Sequence, residues 1–180
     1  MKCVSACIGL LLATSVLSAQ QKPMASPPEI ATVTIGGKTI SIKYNSPRVK
    51  GREGHIFTSA GLISHDPHYP VWRAGANPAT TLHTDADLQI GDLNVAAGTY
   101  TLFVDISDPA QWVLIVSKAT GEWGLAYDET QDLGRVKMMM AKPPALVEDL
   151  KYTLTNGVAG KGTLTLAWEN VSASVHFRVH

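Results

Sequence analysis

Apolar and polar side chains alternate almost without interruption over residues 31–44. Ala31, Val33 and Ile35 fall on one face and Thr32 and Thr34 on the other. After Gly36-Gly37 the alternation resumes with Ile40, Ile42 and Tyr44 against Thr39, Ser41 and Lys43. A period of two is the signature of a half-buried strand, and the two-glycine break predicts a tight hairpin. The same grammar recurs with Tyr100, Leu102, Val104 and Ile106, and with Leu164, Leu166 and Trp168. It is cleanest in Val171, Ala173, Val175, Phe177 and Val179, set against Ser172, Ser174, His176 and Arg178. Trp112 to Val116 is apolar on both sides, as a central strand requires. Val136, Met138 and Met140 are expected to face the core, as are Tyr152 and Leu154. Alternation sends Met139 the other way, so the run Met138–Met140 predicts strand packing and not a copper site.

No window of a dozen residues keeps a helical period, and no internal repeat is present. Nine or ten short strands separated by Gly, Pro and Asp turns predict an all-β fold, an antiparallel β-sandwich of the jelly-roll or immunoglobulin-like kind. One domain over residues 29–180 accounts for it. Residues 45–73, "NSPRVKGREGHIFTSAGLISHDPHYPVWR", do not alternate and predict a long irregular connection. Long loops on a rigid sheet are where binding residues gather.

The chain has 180 residues and a formal net charge of zero. A single Lys2, the apolar run from Ile8 to Leu17 and the small residues before Gln20 predict a signal peptide over 1–19, cleaved after Ala19. The polar, proline-rich "QQKPMASPP" (20–28) predicts a disordered leader. Cys3 and Cys7 both lie in the removed segment, so the exported, periplasmic or extracellular chain is expected to have no disulfide and no thiolate chemistry. No transmembrane segment is expected after cleavage. Near-neutral charge argues against nucleic acid as a partner. The charge is nonetheless uneven: five bases against two acids between Lys43 and Arg73 suggest a basic corner around Arg48, Arg52 and Arg73.

That corner is the first candidate for chemistry. Arg73 follows Val71-Trp72 and precedes Gly75, Asn77 and Pro78, so it is expected to be pinned near a sheet edge. An immobilised guanidinium needs an anion. Either an internal carboxylate such as Asp105 or Asp128, or a ligand, supplies it. Gly75 and Asn77 tolerate positive φ, which gives both a turn role. The candidate ligand-binding residues are thus Arg48, Arg73, Asn77 and Trp72, for a small polar ligand, a glycan or an envelope partner protein. Trp72, Trp123 and Tyr127 near irregular stretches, and Tyr69 in the long loop, are the aromatics that, exposed, would suit stacking on a sugar ring.

The alternative is a hydrolase or isomerase in which His83 and Asp85, two apart on a strand face, work with Arg73. No nucleophile elbow, phosphate-binding glycine loop or H-E-x-x-H motif is present. His65 and His68 in "HDPH" could approach one metal ion, but the spacing is unspecific, and neither a metal site nor a cofactor is assigned.

Five segments occur in an order that resembles an exported bacterial family catalogued as domain of unknown function 2911: "SPRVKGR" (46–52), "VWRAGANPAT" (71–80), "AAGTYTLFVDI" (96–106), "EWGLAYDETQDLGRVK" (122–137) and "LTLAWENVSASVHF" (164–177). The resemblance spans roughly residues 29–179. It singles out Ser46, Pro47 and Arg48, then Trp72, Arg73, Gly75 and Asn77, then Gly98, Tyr100 and Leu102, and lastly Trp123 and Gly124. It implies that Arg48, Arg73 and Asn77 act together, and it implies no reaction. "SHDPHYP" (64–70) departs from the family pattern, which sets His65 and His68 outside any shared mechanism.

Overall fold

The computed structural model describes residues 24–180, so the signal segment expected over 1–19 and both cysteines lie outside the described residues. The described residues form thirteen strands, more than the nine or ten expected. In chain order they begin with β1 (Pro28–Ile35), β2 (Lys38–Asn45), β3 (Val71–Trp72), β4 (Thr80–Thr84) and β5 (Leu88–Ile90). There follow β6 (Leu93–Val95), β7 (Gly98–Asp105), β8 (Val113–Ser117) and β9 (Asp132–Lys137). The last four are β10 (Met139–Ala141), β11 (Val147–Asn156), β12 (Lys161–Glu169) and β13 (Val171–Val179). The surplus comes from strands of two or three residues, β3, β5, β6 and β10, too short to show a period.

Two antiparallel sheets face each other. One runs β1-β2-β4-β7-β8-β9 with β3 also paired to β7, and the other runs β11-β12-β13-β5-β6 with β10 beside β13. The first hairpin forms at Gly36-Gly37, with φ of 58° and 77°. Both values lie where a side chain is costly, which is why the turn takes two glycines. Ile40, Ile42, Leu82, Leu102, Val104 and Leu114 from one sheet meet Leu88, Leu150, Leu164, Leu166, Val175 and Phe177 from the other. In β11, β12 and β13 these residues sit at the buried phase of the alternation, whereas β8 is buried on both faces, as its unbroken apolar run requires. No helix of the described residues is long and apolar enough to cross a membrane.

The methionine run occupies a sheet crossing. Val136 still belongs to β9 in the first sheet, while Met140 pairs with Ala173 in the second. Met138 lies between them, buried, its N–H bonded to the Trp112 carbonyl at 2.9 Å. Met139 is exposed. Of the leader expected over 20–28, the last residues already belong to the domain. Asn45 Nδ2 donates to the Ser26 carbonyl, and Ser46 N donates to that of Pro27.

Candidate functional site: a basic cleft at one end of the sandwich

β3 and β4 lie end to end along the same edge of β7: Trp72 opposes Val104, and Thr80 opposes Leu102. Between them the chain leaves the edge for residues 73–79. Ala74 (φ 50°) and Asn77 (φ 60°) carry the reversal. The expectation for Asn77 holds, but Gly75 is needed for a different reason. A methyl group there would sit 2.7 Å from Thr80 Oγ1, so glycine is required by close approach and not by φ. The Tyr152 hydroxyl donates to the Ala74 carbonyl at 3.0 Å from the core below, and Thr80 Oγ1 donates to the same oxygen. Burial raises the pKa of that tyrosine well above its ordinary value.

The irregular connection 46–70 folds over this end of the sandwich. Ser46 Oγ donates to the Leu150 carbonyl at 2.7 Å, and Leu150 N donates to that of Pro47. The S-P-R segment is thereby hooked to β11. Val49, Ile56 and Ile63 drop into the core. Gly54 N–H donates to the buried carboxylate of Glu169. Phe57 reaches under the loop into a cluster with Trp72, Trp112 and Trp168, where Trp72 and Trp168 stack at 5.9 Å.

A cleft of about 450 Å³ opens between this connection and the 73–76 segment. Four side chains of fixed positive charge line it, Arg48, Lys50, Arg52 and Arg73, together with His65 and a single carboxylate, Asp66. Leu62, Leu125, Trp72 and Trp168 supply apolar wall. Arg48 is exposed, and its Nε donates to Asp149 Oδ1 at 2.7 Å. Arg52 donates to two backbone carbonyls, those of Val49 and Arg48, and is in no ion pair among the described residues.

Arg73 is the unusual member. Its side chain is 22 % exposed, and the nearest carboxylate oxygen, Asp66 Oδ2, lies 3.9 Å from its Nε. That exceeds hydrogen-bond range. Both atoms are buried, and neither has a hydrogen-bond partner among the described residues. Such groups cost free energy and call for an explanation. Two packing facts keep them apart. Asp66 turns its other oxygen to His68 N at 3.2 Å. The stem of Arg73 lies over Gly124, where a methyl group would come within 2.5 Å of Arg73 Cδ.

The structure therefore gathers Arg48, Arg73 and Trp72 at one cleft, whereas Asn77 does not line it. The carboxylate facing Arg73 is neither Asp105 nor Asp128. Asp105 faces Arg135, which also binds Asp132, Glu129 and the Tyr127 hydroxyl, and Asp128 accepts from Thr130. Asp66 comes instead from "HDPH", a motif whose histidines draw attention first. His68 is engaged with the 125–127 segment, its Nε2 at 2.9 Å from the Leu125 carbonyl. Among the described residues no group of three or more His, Cys, Asp or Glu is placed to hold a metal ion. Trp123 is exposed but does not line the cleft; its backbone bridges to Pro78.

His83 and Asp85 do meet, Nε2 to Oδ1 at 3.2 Å, and His83 Nδ1 reaches Thr99 Oγ1 at 2.9 Å. His83 stands on the open outer face of β4 and Asp85 just past its end, each nearly half exposed, and neither lines the cleft with Arg73. The Thr39 N–H and then His83 hold the Asp85 carboxyl below its usual pKa. Sequence reasoning missed Lys50, Asp66 and Trp168 as cleft residues. Nothing local marks Trp168, which arrives from β12 through the fold of the whole chain.

A family model described as "Protein of unknown function (DUF2911)" matches residues 26–177. The chain belongs to this family. The match begins at Ser26, on the lip of the cleft, and takes in all five segments that carry the resemblance. No curated protein and no solved structure matches the chain. Within this member of the DUF2911 family, the S-P-R segment hooks the covering loop to β11, W-R-x-G-x-N forms the excursion from β7, and the W-G pair gives the Arg73 stem room to pass.

Proposed function

We propose that this protein is an exported binding protein that holds a small, negatively charged polar ligand in the cleft beside Arg73. One observation carries the reading: a largely buried arginine whose ionic partner, Asp66, stays 3.9 Å from its Nε, beyond hydrogen-bond range, and whose guanidinium donates no hydrogen bond among the described residues. An arginine serving the fold would be closed onto a carboxylate or a carbonyl, as Arg135 and Arg52 are. The surplus of cations on the lining supports an anion, and the planar guanidinium fork suits a carboxylate or a phosphate. The apolar wall from Leu62, Trp72 and Trp168 supports a ligand with a carbon skeleton over a bare ion.

Thermal unfolding against carboxylates, phosphates, acidic sugars and neutral glycans tests this. A ligand at about a hundred times its dissociation constant adds roughly 2.7 kcal/mol, a clear rise in midpoint. The rise is expected for anions and is expected to vanish in Arg73→Met, which keeps the stem over Gly124 and removes the charge. Arg73→Met alone is expected to be destabilised, by up to about 3–5 kcal/mol, because it leaves the buried Asp66 carboxylate without its cation. The double variant Arg73→Met/Asp66→Asn removes both charges and is expected to recover most of that loss while still giving no rise with anions. No response of the parent protein to any anion would return the arginine to a purely structural role.

A further inference from the structure

Building on the anion-binding reading, we infer that the ligand is a hydroxylated carboxylic acid, of the uronic or polyhydroxy acid type, one of whose hydroxyls bridges Asp66 Oδ2 and Arg73 Nε. The unpaired atoms define what can stand between them. A group at that point must accept from the Arg73 N–H and donate to the Asp66 carboxylate. A carboxylate or a fully ionised phosphate has no proton to donate, and an ammonium cannot accept. A hydroxyl does both; water does so too, and a ligand hydroxyl takes this place by displacing a bridging water. The 3.9 Å separation is too wide for a direct hydrogen bond and lies within the span of two bonds through one oxygen.

Asp66 is a poor fit to any simpler anion site. Its side chain is 5 % exposed, it is the sole carboxylate of the lining, and it opposes a bare anion. Paired with a ligand hydroxyl, it turns from an obstacle into a selector. The ligand's carboxylate then falls to the outer cations, Arg48, Lys50 and Arg52. Entry requires the Arg73 guanidinium to turn, since both bridged atoms are covered in this state. Its terminal nitrogens are not held by any hydrogen bond among the described residues, and Nε is pinned only by the stem over Gly124.

Calorimetric titration of the protein with four probes decides it: glucuronate, its open-chain relative gluconate, cyclohexanecarboxylate as the acid without hydroxyls, and glucose as the sugar without charge. Glucuronate or gluconate is expected to bind roughly tenfold or more tightly than the last two, the effect of one charge-assisted hydrogen bond. Whichever of the two is preferred identifies ring or chain. In Asp66→Asn the Oδ1 contact to His68 N is kept and a donor replaces the acceptor. The preferred hydroxy acid is then expected to weaken about tenfold, while cyclohexanecarboxylate tightens because a buried negative charge is gone. Equal binding of glucuronate, gluconate and cyclohexanecarboxylate, all strengthened in Asp66→Asn, would overturn the hydroxyl bridge and leave the anion site standing. Glucose binding as well as glucuronate would overturn the acid requirement. If no probe binds, and inorganic phosphate does not either, the anion reading itself fails and this inference falls with it.

Discussion

A methyl group on Gly124 would run into the stem of Arg73 and, at 2.7 Å, into the Asn77 carbonyl oxygen. Gly124→Ala is therefore expected to cost about 1–3 kcal/mol, as overpacking does, and to shift Arg73 away from Asp66. Urea unfolding gives the first effect. Loss of the ligand-induced rise in midpoint gives the second, and it separates this site from an ordinary packing defect. Tyr152→Phe probes the same excursion from beneath. It removes one of the two hydroxyls bonded to the Ala74 carbonyl and is expected to cost roughly 1–2 kcal/mol. At this scale the sequence was readable where backbone chemistry dictated the residue and unreadable where contact did. Asn77 at positive φ follows from its type, but the need for Gly75 and Gly124 arises from Thr80 and Arg73, whose positions only the folded chain sets. Asp66 is the sharper case, because nothing in "HDPH" says that its carboxylate, and not its imidazoles, will face the cleft.

Strands were legible in proportion to their length. β13 and the β1–β2 hairpin alternate over eight or nine residues and were predicted by face as well as by position. β3 and β10 have two and three residues, and a period cannot be read from so few. The methionine crossing shows that phase outlasts pairing. Met138 belongs to neither strand, yet it is buried while Met139 is exposed, because the chain keeps its inward and outward sense as it passes between sheets. Met138→Ala is accordingly expected to cost about 2–5 kcal/mol and Met139→Ala less than about 0.5 kcal/mol, measured by denaturant unfolding. Of residues 45–73, expected to be irregular, Asn45 closes β2 and Val71–Trp72 form β3, while the stretch between lies outside strands; its role as a cover with core anchors is not visible in the sequence, since Val49, Ile56 and Ile63 follow no period. Ile56→Ala is expected to loosen that cover, costing about 2–5 kcal/mol. Tryptophan emission should change with it, because the neighbouring Phe57 packs against Trp72, Trp112 and Trp168.

For the whole molecule, three buried or half-buried tyrosines set an upper limit of pH. Burial is the first cause of a raised pKa in Tyr44, Tyr127 and Tyr152, and in Tyr127 the Asp132 carboxylate that accepts its hydroxyl adds to it. In the unfolded chain each ionises near its ordinary value of 10.0. Below that pH both states hold the phenolic proton and stability is unaffected. Above it the unfolded state loses the proton and the native state keeps it, so stability falls as pH rises. Tyr152, fully enclosed, is expected to remove about 1.4 kcal/mol per pH unit beyond about 10 while its native form stays neutral. The two sheets share one core, so the loss is felt by the entire sandwich and not by one corner. Alkaline titration should therefore show tyrosinate absorbance from these residues rising together with loss of β-sheet circular dichroism, in one cooperative step. In Tyr152→Phe the step is expected to move to higher pH relative to that variant's own neutral stability. Independent titration of all the tyrosines with the sheet signal intact would mean that the hydroxyl beneath Ala74 is open to water, and with it the floor of the excursion that carries Arg73.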